Sequence, residues 1–516
     1  MRGAGPAPGA WRTWRLWHAW RDVRLVLSLA AGALLPLAFA PFGCWPLAIL
    51  CPALLMWTWT DAAPRRAAWQ GFLFGVGSFG VGTSWLYISI HDHGPASVGF
   101  SATAVALVVL YMAAYHALLG WCAARVLPAR GAWRWYAGLP ALWLLTEWLR
   151  GWMLSGFPWL SLGYSQTDTV LAGMAPIAGV YGVSALLLLQ AGALLAGLHS
   201  RGRARLVAPA VIALAWIGAA AATRVEWTHP AGPAVAVAIL QGAIPQDEKW
   251  QIENREPTMA LYRSLNEQAA GARLVVWPEA AIPELANDIA PYLAQIIGDS
   301  RARNADVLMG VVRLGDNGVD YYNSILALTS TVAFYDKRHL VPFAEYFPVP
   351  SFVRSWLRLM SLPYSDFRPG IDGQAPLVAG GMRIAPSICY EDAFGGAQRA
   401  LVSQSELLVN VTNDAWFGHS PARFQHLQIS RMRAIEAGRY LLRAGNDGVS
   451  AIIGPRGELV AVAPEYRSAV LRGTVVPRTG LSPYVRAGDW AVILLALAAA
   501  AGSIRRRGNP LRSSIA

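Results

Sequence analysis

Apolar and polar positions divide the chain into two kinds of territory. Long apolar runs cover residues 25–40, 45–59, 71–90, 98–124, 136–149, 170–198 and 206–223, and an eighth covers 489–504. A helix needs about 20 apolar residues to cross a bilayer; several runs fall short, so the pattern locates spans without fixing their ends. Between the seventh and eighth runs the period shortens. Apolar stretches of strand length alternate with polar helical ones, as in a layered α/β domain. Strands are expected at 234–240, 274–277, 307–312, 324–328, 332–335, 382–388, 407–411, 450–453 and 459–462, and helices at 257–270, 289–302 and 422–437. Gly454-Pro455-Arg456-Gly457 marks a hairpin between the last two strands. Pro386 has no N–H to give a neighbouring strand, so it implies an edge or a bulge. The pattern predicts a polytopic α-helical membrane protein with an inserted α/β domain: a seven-span region at 1–225, one globular domain at 226–488, and an eighth span with a tail at 489–516.

Composition supports the membrane reading. Of 516 residues, 55% are hydrophobic and 14% charged, against roughly 25% charged in soluble domains. The net charge of +12 does not point to nucleic acid, because the arginines sit between or outside the apolar runs. Arg2, Arg12, Arg15, Arg21 and Arg24 precede the first run, and further clusters are Arg65 with Arg66, Arg125 with Arg130 and Arg134, Arg201 with Arg203 and Arg205, and Arg505 with Arg506 and Arg507. With eight spans all of these fall on one side, while the loops 41–44, 91–96 and 151–169 have no Lys or Arg. Basic residues stay inside, which places both termini in the cytoplasm and the α/β domain outside. Ala38-Phe39-Ala40 resembles a signal-peptidase site; Pro41 and the apolar run that begins at once favour its retention. The four cysteines form no CxxC pair, and Cys389 alone lies outside the apolar territory. That argues against a disulfide framework or a zinc site. Glu147 and Arg150, one turn apart near the end of the fifth run, read as an interfacial pair.

Three strand ends carry reactive groups. Leu274-Val275-Val276-Trp277-Pro278-Glu279 ends in a carboxylate, Phe334-Tyr335-Asp336-Lys337 in an ammonium, and Ile384-Ala385-Pro386-Ser387-Ile388-Cys389 in a thiol with Glu391 two residues on. Alone, a cysteine is most often a small buried hydrophobe, and a lone Glu279 or Lys337 is a solvated loop residue. Together they suit acyl transfer: Glu takes the thiol proton, Lys stabilises negative charge, and Cys forms a thioester.

Gln241-Gly242-Ala243-Ile244-Pro245-Gln246 with Trp250, Trp277-Pro278-Glu279, Lys337-Arg338-His339-Leu340-Val341-Pro342-Phe343, Glu345-Tyr346, Cys389-Tyr390-Glu391 and Asn413-Asp414-Ala415-Trp416-Phe417-Gly418 resemble signatures of the nitrilase superfamily. Phe157-Pro158-Trp159 and Gly163-Tyr164 are similar to its membrane-embedded branch, the apolipoprotein N-acyltransferase family, and this resemblance covers nearly the whole chain. Ala344 departs from the pattern, which usually has Gly there.

The resemblance implies a nitrilase-like αββα sandwich with Glu279 as base, Lys337 as oxyanion stabiliser and Cys389 as nucleophile. Glu345 and Glu391 become supporting carboxylates, and Trp250 and Tyr390 substrate contacts. It further implies ping-pong transfer in the bacterial inner membrane, from a phospholipid acyl donor to a diacylated apolipoprotein acceptor, on the periplasmic side. No metal or cofactor is needed, no nucleic acid takes part, and the protein is expected to be a monomer. A membrane-tethered nitrilase-type amidase and a non-catalytic membrane scaffold are the competing readings; the intact Glu, Lys and Cys speak against the scaffold. Residues 343–362, rich in large apolar side chains and broken by prolines, are expected to form a mobile cover that touches the bilayer.

Overall fold

The structure, a computed structural model, describes residues 23–94, 96–346 and 367–507. Its first region is helical: α1 (Val23–Ala38), α2 (Leu47–Thr58), α3 (Pro64–Gly82), α4 (Val98–Val126), α5 (Leu139–Arg150), α6 (Ala175–His199) and α7 (Val207–Ala222). Among the described residues, three helical stretches, Val98–Val126, Val170–His199 and Gly202–Ala222, are long and apolar enough to cross a membrane. The Ser97 hydroxyl caps α4 by accepting the Phe100 N–H, and Pro128, which disfavours helix in the residue before it, closes the other end. The expected runs at 45–59 and 136–149 hold α2 and α5, of 12 residues each. The run at 71–90 is displaced: α3 starts at Pro64, whose fixed φ suits a first turn, and stops at Gly82. α3 and α4 meet backbone to backbone. A Cβ on Gly71 would sit 2.0 Å from the His116 carbonyl oxygen, an approach only a glycine permits between apolar helices.

The second region comprises β1 (His229–Pro230), β2 (Val235–Gln241), α8 (Gln246–Lys249), α9 (Arg255–Gln268), β3 (Leu274–Val276), α10 (Ala290–Ala302), β4 (Asp306–Leu314), β5 (Tyr321–Leu328), β6 (Val332–Asp336), β7 (Leu377–Ala379), β8 (Met382–Ile388), α11 (Gly395–Ser403), β9 (Leu407–Thr412), α12 (Ala422–Ala437), β10 (Leu441–Gly445), β11 (Ala451–Ile453), β12 (Leu459–Val462), β13 (Ala469–Val475) and β14 (Arg478–Thr479). α13 (Pro483–Ala487) and α14 (Trp490–Arg507) follow. Two six-stranded sheets result, ordered β13-β2-β3-β4-β5-β6 and β7-β8-β9-β10-β11-β12. Both have the same succession of one antiparallel, two parallel and two antiparallel pairings.

Strand alternation decides the layers. Val237 and Ile239 of β2 share a core with Ile384, Ile388, Val409 and Val411 of the other sheet, while Ala238 and Leu240 face Tyr262 and Leu265 of α9 and Ile296 of α10. Leu401 of α11 and Leu427 of α12 pack against the second sheet, so the order is helix, sheet, sheet, helix. The expected strands and helices are all present, and β8 and α12 have the expected bounds. β8 is not a sheet edge, but its pairing with β7 ends at Leu377↔Ile384. At Pro386 only β9 lies alongside, which is where a strand tolerates proline.

α12 joins the two regions. Trp159 Nε1 donates to Gln425 Oε1 at 2.7 Å, Gln428 Nε2 donates to Thr167 Oγ1 at 3.2 Å, and the Val180 N–H donates to Glu436 Oε1 at 2.8 Å. Gly438, at φ +61°, ends the helix in a left-handed turn. Glu147 and Arg150, expected as an interfacial pair, hold backbone. Arg150 Nη1 donates to the carbonyls of Phe157 and Trp159 at 2.5 and 2.6 Å, and Glu147 Oε1 accepts the Leu162 N–H at 3.1 Å. The Phe157-Pro158-Trp159 loop is thereby fixed against α12. Of the expected cover, residues 347–362 lie outside the described residues.

Candidate active site

Cys389 directly follows β8 at φ +50°, a conformation that L residues rarely adopt, and the turn Cys389–Ala393 begins with it. Such a position costs roughly 1–3 kcal/mol and persists only where its surroundings hold it. The hold is on its carbonyl, which accepts Asn410 Nδ2 at 3.3 Å and faces His426 Nε2 at 3.2 Å.

The charged groups come from the first sheet. Lys337, just past β6, is 1% exposed, and its Nζ lies 2.9 Å from Glu345 Oε1 and 3.6 Å from Glu279 Oε1. Asn323 on β5 steadies both carboxylates, with Nδ2 at 2.7 Å from Glu279 Oε1 and 2.9 Å from Glu345 Oε1. The backbone N–H of Asn413 reaches Glu279 Oε2 at 2.9 Å, and that of Val341 reaches Glu345 Oε2 at 2.7 Å. Burial opposes the Lys337 charge, but Glu345 and Glu279 override it and raise the pKa, so the ammonium persists. Burial, and then the Glu279 charge, push the Cys389 thiol well above its ordinary pKa against the pull of Lys337. At rest the site holds a protonated thiol beside a cation that keeps its proton.

Glu391 is 1% exposed and works through backbone. Its oxygens accept the N–H groups of Arg338 at 2.8 Å, His339 at 3.2 Å and Ile388 at 2.9 Å, and the Tyr335 hydroxyl at 3.2 Å. Tyr390 turns toward the helical region, its hydroxyl donating to the Gly156 carbonyl at 3.0 Å. Trp250, at the end of α8, is 54% exposed. Glu279, Lys337 and Glu345 therefore form one cluster beside Cys389; Glu391 ties the turns that carry Lys337 and Cys389, and Tyr390 and Trp250 stand outside the charged cluster.

Residues not singled out in the sequence complete the site. Asn323 is a lone amide in an apolar strand, and Lys249, buried beneath Glu279, donates to its carbonyl at 3.3 Å; burial lowers its pKa to about 8. Cys389, Asp414 and His426 each bring one atom within 4.8 Å of the others, the spacing of a metal site. The His426 nitrogens face Asp414 at 2.9 Å and Asp392 at 3.0 Å, and Asp414 also accepts Thr412 Oγ1 at 2.9 Å and Arg443 Nη2 at 2.6 Å. These groups satisfy one another.

Residues 31–193 match the apolipoprotein N-acyltransferase N-terminal domain, and residues 236–480 match carbon-nitrogen hydrolase. An apolipoprotein N-acyltransferase of Methylococcus capsulatus is 43% identical over 472 residues, covering 91% of this chain and 93% of that one. Its counterpart in Azotobacter vinelandii is 42% identical over 493 residues, covering 93% and 95%. Among solved structures, the C. elegans NitFhit protein aligns with a TM-score of 0.38 at 18% identity, over 55% of this chain and 65% of that one. The nitrilase-like fold is carried by the paired sheets and the hydrolase-domain match. With near-complete coverage by relatives of one kind, the chain belongs to the apolipoprotein N-acyltransferase family and is an acyltransferase enzyme.

Proposed function

We propose that the protein transfers an acyl chain from a membrane phospholipid to the α-amino group of the diacylglyceryl-cysteine on apolipoproteins, through a thioester on Cys389. The observation that carries this reading is Lys337, kept cationic between Glu345 and Glu279 at 2.9 and 3.6 Å, beside a thiol that keeps its proton. Such a thiol needs a base as it attacks, and a lysine that holds its proton cannot be that base. Glu279 takes the role. Its carboxylate accepts the thiol proton as Sγ attacks the ester carbonyl, and Lys337 stabilises the oxyanion. Collapse breaks the ester C–O bond, and Glu279 returns the proton to the departing lysophospholipid. The acceptor amine then attacks the thioester, Glu279 takes the amine proton, and the expelled thiolate recovers it. Glu345 keeps Lys337 in place, Glu391 fixes the turns, and Trp250 and Tyr390 contact substrate.

In this reading residues 1–225 make seven spans of the bacterial inner membrane, 226–488 face the periplasm, and 489–516 return to the cytoplasm, with the protein acting as a monomer. The apolar helices and the one-sided arginines support it. Mass spectrometry of a diacylated lipopeptide incubated with purified protein and defined phospholipid tests the function. The expected product is the N-acylated lipopeptide, formed only when phospholipid is present. Release of free acid from a soluble amide, with no lipopeptide acylation, would identify an amidase instead.

A further inference from the structure

Four charged side chains lie behind Cys389 and have no part in the proton transfers above. Asp392, Asp414, His426 and Arg443 are each at most 1% exposed. Arg443 Nη2 donates to Asp414 Oδ2 at 2.6 Å, and its Nη1 lies 3.6 Å from Asp392 Oδ2. His426 Nδ1 faces Asp414 Oδ1 at 2.9 Å, and Nε2 faces Asp392 Oδ1 at 3.0 Å. A neutral imidazole has one donor, whereas a ring with a carboxylate at each nitrogen uses two. His426 is therefore an imidazolium, and two aspartates balance two cations. Burial and Arg443 work against that charge, but Asp392 and Asp414 prevail and lift the pKa to about 9.

The same Nε2–H also reaches the Cys389 carbonyl, at 3.2 Å. Asn410, the other donor to that carbonyl, is itself held by Arg443 Nη1 at 2.8 Å. On its far side the His426 ring meets Trp159 at 5.7 Å between centroids, so the loop from the helical region braces it. We infer that His426 is the positioning residue of the nucleophile: its imidazolium pins the Cys389 peptide in the left-handed conformation that aims the thiol at Glu279 and Lys337. It moves no proton in the reaction. The inference rests on Cys389 being the nucleophile.

The test uses full-length wild type, His426→Leu, His426→Gln, and the charge-balanced double variant His426→Leu with Asp392→Asn. Three quantities are measured: the rate of thioester formation with phospholipid, the KM for phospholipid, and alkylation of Cys389 by iodoacetamide; melting temperature reports folding. Misplacing a reacting atom on the order of 1 Å costs about 10²-fold, and that is the loss expected in thioester formation for the folded double variant. KM should change by less than about threefold, because ground-state binding is untouched. Cys389 alkylation should slow with it. Glutamine keeps one N–H near the Nε2 position and should recover at least about tenfold of the loss. A folded double variant that forms the thioester at the wild-type rate overturns the inference, as does a glutamine variant that folds but performs no better than leucine. A lowered melting temperature with unchanged rates also overturns it, since the role is then structural only. If wild type carries no acyl adduct on Cys389, the nucleophile assignment and this inference fall together; a normal adduct in wild type and in every His426 variant removes the inference alone.

Discussion

The Glu391 carboxylate accepts the backbone N–H of Arg338 at 2.8 Å although the two residues lie 53 positions apart. Because it also accepts the Ile388 N–H at 2.9 Å, the turn after Lys337 and the turn holding Cys389 cannot drift independently. In Glu391→Gln an NH2 group replaces one of the accepting oxygens and leaves a buried N–H unpaired, at about 1–3 kcal/mol. The expected outcome is a lower melting temperature together with thioester formation slowed by about tenfold or more. Unchanged values of both would remove Glu391 from the site's architecture.

Thioester chemistry predicts a hydroxylamine-labile acyl adduct formed with phospholipid alone. It should vanish in Cys389→Ala and persist in Cys122→Ala. Glu279→Gln should block its formation and Lys337→Ala should slow it, each by about 10²-fold or more, with the proteins still folded. Turnover by Cys389→Ala would defeat the mechanism.

Stability should depend on pH with opposite signs at the two ends. The His426 pKa is raised from 6.5 to about 9, so its contribution is whole below about pH 6.5 and drains away as pH climbs through about 9. Burial would raise the Asp414 pKa, but Arg443 and His426 together hold it below the ordinary carboxylate value; its contribution is present above about pH 4 and is lost as pH falls further. Melting temperature should therefore plateau at mildly acid pH and decline toward alkaline pH. In the His426→Leu, Asp392→Asn double variant the alkaline decline should flatten, and a decline as steep as in wild type would contradict the assignment.

Topology is open to labelling. Val319, at the tip of the turn between β4 and β5, is 71% exposed, and Arg203 lies in the basic first turn of the helical stretch Gly202–Ala222. In a background without Cys44, Cys51, Cys122 and Cys389, a membrane-impermeant thiol reagent added to spheroplasts should label a cysteine at 319 and leave one at 203 untouched. The reverse pattern would invert the proposed orientation.

The legible parts of the sequence are those with punctuation at their ends. α12 lies between Pro421 and Gly438, a helix start and a helix stop, and β8 begins after the Gly380-Gly381 turn. β10 gives no clear strand signal because Arg443 breaks a five-residue strand that is otherwise apolar or glycine; its charge is tolerated because Asp414 and Asn410 arrive from other elements. Asn323 and His426 were silent for the same reason. An amide in a strand and a histidine in a helix acquire meaning only from partners 12 to 44 positions away. Lys337 and Cys389 directly follow β6 and β8, and Glu279 lies three residues past β3, so a strand end marks the place of each in the sequence.

The short clasp between β1 and β14 pairs His229 with Thr479 and Pro230 with Arg478, so the chain enters and leaves the α/β domain at one place. β13 lies beside β2 for the same reason, the last long strand closing the sheet that the first one opened. A domain with its ends side by side can be inserted between two consecutive helices without rerouting either. The clasp brings the domain's two ends to a single junction, and α12 supplies the surface on which the α/β domain meets the helical region.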